Sequence, residues 1–137
     1  HLFAAVFVEW QAALKTSLAK APLKGDTEAE RLSDIFHRTI RAFQLQPQFF
    51  RVLMMMETTT DNYAAEIYKS AMGPQYQQTL RPVFDGDLDT NRLAILRTIE
   101  SVLDTQLRSW VMNRCMIHDV YRAVDDAIRL IYPSSDK

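Results

Sequence analysis

The chain has 137 residues, 47% of them apolar, and a formal net charge of -1 from 16 basic and 17 acidic side chains interspersed along it. That length supports one domain with one core, burying roughly two-thirds of the surface its unfolded form exposes. With no Lys/Arg block anywhere, the chain lacks the electrostatic footprint of a nucleic-acid binder. The single cysteine, Cys115, excludes an intrachain disulfide and fits a reducing, cytoplasmic setting. No run reaches the ~18 apolar residues of a membrane span, and the opening HLFAAVFVEW has neither a basic leader nor a small-residue cleavage site. Neither a membrane partner nor a signal peptide is expected. Because the chain opens on His1 and runs at once into an apolar segment, it reads as a piece of a longer protein.

From Leu2 to about Ala21, Phe3, Val6, Phe7, Trp10, Leu14, Ser17 and Leu18 recur at helical spacing, and Pro22 and Gly25 end the segment. Thr27 with Glu30 three residues later reads as a capping box. Behind it Leu32, Ile35, Phe36, Thr39, Ile40 and Phe43 form the apolar face of a second helix that stops before Pro47. Pro47 suits the first turn of a short third helix, Gln48 to about Glu57. A break at Thr58 to Asp61 leads into a fourth helix carrying Tyr63, Ala64, Ile67, Tyr68 and Met72. There Gly73-Pro74 marks either an end or a kink, because Tyr76, Leu80 and Val83 keep the same spacing.

The fifth helix runs from Thr90 or Asn91 to Arg114, with Leu93, Leu96, Ile99, Val102, Leu103, Leu107, Trp110 and Val111 on one side and Arg97, Glu100, Asp104 and Arg108 on the other. At roughly 25 residues it spans about 37 Å, more than a small domain needs for its own core. The last helix, Ile117 to Ile131, places Val120, Tyr121, Val124, Ile128 and Ile131 on one side. Arg122 with Asp126, and Asp125 with Arg129, are spaced to pair at i,i+4 on the other. Strand alternation is absent, so the expected fold class is all-α, with about six helices and the fourth kinked or split. Two long helices joined by about two residues form a hairpin, and their apolar surplus points to a second subunit covering part of it.

Candidate chemistry is sparse. Asp85, Asp87 and Asp89 alternate like the start of a calcium loop, but Thr90 stands where the glycine belongs and Leu96 where the closing glutamate belongs. A helix-entry loop is the better reading. His1, His37 and His118 sit far apart in no ligand spacing: His37 suits a boundary or pocket position, and His118 with Asp119 faces solvent or a partner. Cys115 lacks a second cysteine, and the three glycines form no phosphate loop. No cofactor, no metal and no enzymatic activity are expected. What stands out is FFRVLMMMETTTDNYAA, Phe49 to Ala65. Three consecutive methionines point about 100° apart on a helix, so Met54, Met55 and Met56 cannot share one partner surface. With Phe3, Phe7, Trp10, Phe36, Phe43, Phe49, Phe50, Tyr63, Tyr68 and Met72 they supply either an awkward core or the wall of a cavity for a greasy ligand. Thr58, Thr59, Thr60 and Asn62 stand at the cavity's polar end.

The opening HLFAAVFVEWQAALKTSL, the capped second helix, the Pro-led short third, the broken fourth and the long final pair together resemble the C-terminal domain of TetR-family transcriptional repressors. FFRVLMMMETTTDNYAAEIY and ILRTIESVLDTQLRSWVMNR look most like the members of that family that control cholesterol catabolism in actinobacteria. The resemblance implies that residues 1–137 are an effector-binding and dimerisation domain, and that a helix-turn-helix head, absent here, lies upstream and alone touches operator DNA. It implies an effector pocket walled by Phe7, Trp10, Phe36, Ile40, Phe43, Phe50, Met54, Met55, Tyr63 and Ile67, with Leu103 and Trp110 from the fifth helix. It implies a homodimer joined through Leu96, Ile99, Leu103, Leu107, Trp110, Val120, Val124 and Ile128. The implied effector is a steroid or fatty acyl coenzyme A thioester, with an Arg or Lys at the mouth for its phosphates. A rival reading, a helical protein-interaction or scaffolding domain whose apolar surplus is all interface, needs no small molecule.

Overall fold

The structure, a computed structural model, describes residues 2–58, 60–71 and 74–133, and leaves the side chains at 2–4, 6–8, 64, 67, 68, 70, 71 and 74–76 undescribed. Among the described residues every regular element is helical: α1 (Leu2–Lys20), α2 (Glu28–Leu45), α3 (Pro47–Thr58), α4 (Asn62–Ala71), α5 (Pro74–Leu80), a 3-10 turn (Arg81–Val83), α6 (Thr90–Val111) and α7 (Ile117–Ile131). Where a kinked or split fourth helix is expected, α4 and α5 lie on either side of residues 72 and 73, which fall outside the described residues. No described helix is long and apolar enough to cross a membrane.

Local signals fix the ends. Glu30 N donates to Thr27 Oγ1 at 3.1 Å and Thr27 N to Glu30 Oε1 at 3.2 Å, the reciprocal capping box that starts α2. Just ahead, Gly25 has φ of 133°, and a Cβ there would meet Glu30 Cβ at 2.5 Å, so only glycine makes this turn. Asp89 Oδ1 accepts from Arg92 N at 2.8 Å and caps α6. The other two loop aspartates are also engaged, Asp85 with Arg31 and Asp87 with Arg81.

At its far end α6 stops at Val111, three residues before the expected Arg114. Asn113 turns left-handed with φ of 60°, its N–H donates to Trp110 O at 3.0 Å, and Arg114 N donates to Ser109 O at 2.8 Å. These two bonds form a Schellman closure, which asparagine supports because its short polar side chain tolerates that conformation. The chain then re-enters α7 with Met116 N donating to Asp119 Oδ2 at 2.8 Å.

The core is one cluster in which α6 packs along α7 and α7 packs along α2. Leu32, Ile35 and Ile40 of α2, Ile99 and Leu107 of α6, and Val120 and Val124 of α7 keep at most 1% of their surface exposed. The second group of helices, α1, α3 and α4, joins this body through α2 and α6. Arg38 binds the α1 end to α2, donating to Pro22 O at 3.0 Å and to Asp34 Oδ2 at 2.9 Å.

Two expected surface placements change. Asp125 does not meet Arg129: it lies on the α2 side of α7, where Ser33 and His37 offer two donors at 2.9 and 2.8 Å, and Arg129 pairs with Asp126 at 3.3 Å instead. Arg108, expected on the outer side of the fifth helix, bridges Asp104 at 2.8 Å and Glu57 of α3.

Where α2 and α6 begin and α7 ends, Glu28 gathers three partners. Its carboxylate accepts from Arg92 Nη2 at 3.0 Å, the Tyr132 hydroxyl at 3.1 Å and the Asp85 N–H at 3.3 Å. The Arg92 hydrogen bond, foremost, holds the Glu28 carboxyl below its ordinary value, against the opposing effect of burial. Burial and the bond to Glu28 push the Tyr132 hydroxyl up to about 12.

Two stability outcomes follow from this packing and this network. Ile99→Ala is expected to cost about 2–5 kcal/mol in urea unfolding, while Met55→Ala, at a position 57% exposed, stays within about 0.5 kcal/mol. Because the folded state lowers the Glu28 pKa, its stabilisation is complete above the ordinary 4.5 and is lost as pH falls through the folded value. The wild type is therefore more stable than Glu28→Gln at pH 7, and the gap between their urea midpoints closes on acidification; a gap constant with pH would show that the ionised form is not what stabilises.

Candidate functional site

The aromatic surplus assembles across three helices. The Trp10 ring of α1 stacks on Phe43 of α2 with centroids 5.6 Å apart and planes 22° apart, and Phe43 meets Phe50 of α3 edge-on at 5.4 Å. Both geometries suit the ring quadrupole, so the three rings form a ladder tying α1, α2 and α3. Phe43 and Phe50 keep only 4% and 1% of their surface exposed, and the ladder is continuous with the core.

Around it the expected pocket residues divide. Phe36, Ile40 and Leu103 are buried core, and Met54 and Trp110 are half-buried against it. Met55 and Tyr63 lie 57% and 56% exposed. The side chains of Phe7 and Ile67 fall outside the described residues, as do His1 and Thr59. The three methionines point three ways, as their spacing requires: Met56 is buried, Met54 is partly covered and Met55 faces out. Thr58, expected at the polar end of a cavity, donates its hydroxyl to Met54 O at 3.0 Å within its own helix. Thr60 and Asn62 are exposed.

The residues expected at a dimer interface lie in, or partly against, the core of the single chain. Leu96, Ile99, Leu103, Leu107, Val120, Val124 and Ile128 are all buried among α2, α6 and α7, and Trp110 packs partly against them. Ile99, Val120 and Val124 keep no surface exposed in the single chain, while Leu96, Leu103 and Ile128 keep 4%, 7% and 4%. What the hairpin leaves outward includes Thr98, Ser101 and Thr105 on α6, Met116 just before α7 and Leu130 in its last turn, the last two 64% and 71% exposed.

An open groove of about 200 Å³ runs between α1 and α2. Small residues make it, with Ala13 and Ser17 one turn apart on α1 and Thr39 and Ala42 on α2. Trp10, Leu14 and Leu45 supply its larger apolar surfaces. Arg38 and Arg41 also line it. Neither arginine was singled out from the sequence; the one available signal was this pair of small-residue steps on adjoining helices.

A second polar cluster joins α2 to α7. Asp125 Oδ1 accepts from Ser33 Oγ at 2.9 Å and lies 2.8 Å from His37 Nε2, and the Tyr121 ring abuts the imidazole edge-on at 5.0 Å. Serine, histidine and aspartate here do not form a nucleophilic triad. The aspartate occupies the same ring nitrogen that a serine nucleophile needs, and the serine proton goes to the carboxylate. Geometry makes this a boundary clamp, with His37 side chain about a third exposed. His118 is solvent-facing, 3.5 Å from Asp119. Burial raises the Cys115 thiol above its ordinary value, the opposite of what a nucleophile or metal ligand needs. No group of three or more His, Cys, Asp or Glu placed to hold a metal occurs among the described residues.

Compared with known protein families and with curated proteins, the chain finds no match.

Proposed function

We propose that this chain is the effector-sensing and dimerisation domain of a TetR-type transcriptional repressor controlling lipid or sterol catabolism, released from its operator by a hydrophobic small molecule such as a steroid or fatty acyl coenzyme A thioester. The observation that carries the reading is the arrangement of an aromatic and methionine-rich layer, α1 to α4, against one long helical hairpin, α6 and α7, with α2 shared by both. The domain does no chemistry on its ligand. Effector bound in the α1–α4 layer favours one spacing of the two upstream heads over another, and operator affinity falls by the difference in effector affinity for the two states.

Pairing in this reading uses the outward face of the hairpin, since the inward residues serve the core. Met116 and Leu130 stand at the two ends of α7 on that exposed surface. A two-fold axis across the hairpin would cover both and bring two α6–α7 pairs together as four helices.

Two measurements test it. In the full-length protein, operator binding is expected to weaken about 5- to 150-fold on adding the steroid thioester, and not with free coenzyme A. Equal operator affinity with and without every thioester overturns effector control and leaves a helical protein-interaction domain. Light scattering is expected to give a dimer that becomes a monomer in Met116→Glu/Leu130→Glu with helicity unchanged; a wild-type monomer removes the dimerisation role.

A further inference from the structure

We infer that the groove between α1 and α2 is a binding site for an unbranched aliphatic carboxylate, with the chain lying along Trp10, Leu14, Ala42 and Leu45 and the carboxylate meeting Arg41. The site stands whether or not the domain senses a sterol.

Charge points to the occupant. Of the two arginines at the groove, Arg38 is already committed, donating to Asp34 and to the Ser17 and Pro22 carbonyls, and its side chain is only 12% exposed. Arg41 lies one turn away, exposed, and has no hydrogen bond or ion pair among the described residues. The groove therefore offers one uncompensated positive charge with five donors beside an apolar channel, which suits a single anionic end group rather than a neutral or cationic one.

Size sets the rest. At about 200 Å³ the open groove is smaller than the roughly 300–1,000 Å³ of pockets that enclose drug-sized ligands, and a single methylene chain suits it better than a fused four-ring nucleus. Leu45 is 75% exposed at the end of α2, an isolated large apolar side chain that a bound chain would cover. The Trp10 ring, stacked on Phe43, gives the chain a flat apolar surface to lie on.

The probe is decanoate, with decanol and decyltrimethylammonium as its neutral and cationic counterparts, followed by the indole N–H signal of Trp10 in NMR and assigned with Trp10→Phe. Saturable one-to-one binding is expected with a Kd on the order of 1 mM, what a dozen non-hydrogen atoms reach at modest efficiency. Decanoate should bind at least about 3-fold tighter than decanol, and Arg41→Gln should abolish that preference without changing decanol binding. Leu45→Asp, at an exposed position that leaves the fold intact, should weaken both ligands. Equal affinity for decanoate and decanol, an unchanged preference in Arg41→Gln, or a Trp10 signal that shifts without saturating would each overturn the site. Covering of the groove by residues upstream of this chain would show as decanoate binding lost in the longer protein, and overturns it as well.

Discussion

Valines 120 and 124 stand four residues apart on α7 with no surface left to solvent, and Leu32 and Ile40 of α2 are equally covered. Burial this complete on both sides of one helix pair sets the position of everything attached to either helix. Each such side chain contributes about 1.5–3 kcal/mol relative to exposure, an upper figure because the unfolded chain already hides some apolar area. α6 lies along the same α7 ridge, so the hairpin and α2 act as a single packed unit. Close packing transmits displacement, and α3 and the 3-10 turn, which rest on α2, inherit its position, as does α1, which rests on α3 and stacks Trp10 on Phe43.

The polar groups trim this seam at its edges. Glu28 ties the starts of α2 and α6 to the end of α7, and the Ser33–His37–Asp125 cluster closes the α2–α7 boundary one turn and more further along. None of these groups is fully buried, so each contributes modestly; their effect is on register. A slide of α7 by one turn would strand Asp125 away from both of its donors and Tyr132 away from Glu28. Apolar faces alone tolerate such slips better, because a stripe of valines and isoleucines repeats along itself.

Helix number, order and starts were readable because they are local. The Thr27–Glu30 box, Pro47 at a helix entry and the aspartates before α6 each act within one turn, where sequence distance is spatial distance. Buried faces were readable for the same reason: the spacing of Leu32, Ile35, Phe36, Ile40 and Phe43 fixes their common side. What that side meets is non-local. Leu96, Ile99, Val120 and Val124 carry the pattern of a dimer seam and of an intrachain seam alike, and only the position of α2 separates the two. Asp125 was misread from its own helix because its donors lie 88 and 92 residues away. The end of α6 is legible in Asn113, the residue that takes the left-handed turn just past the helix, although the apolar period runs on beyond it.

The groove was hidden for a related reason. Ala13, Ser17, Thr39 and Ala42 are unremarkable residues on two helices, and a cavity arises only when their small sides face each other across the α1–α2 contact. Its position gives it leverage. α2 contributes Thr39, Ala42 and Arg41 to the groove on one side and Leu32, Ile35 and Ile40 to the core shared with α6 and α7 on the other. A ligand that separated α1 from α2 would either move α1 with its Trp10 contact to Phe43, or push α2 against the fully buried side chains of α6 and α7. The rings are the softer side, since a 5.6 Å stack slides at small cost while fully buried valines do not. Any displacement caused by an occupant of the groove would therefore fall on α1 sooner than on α2, whose other side is held in the core by Leu32, Ile35 and Ile40.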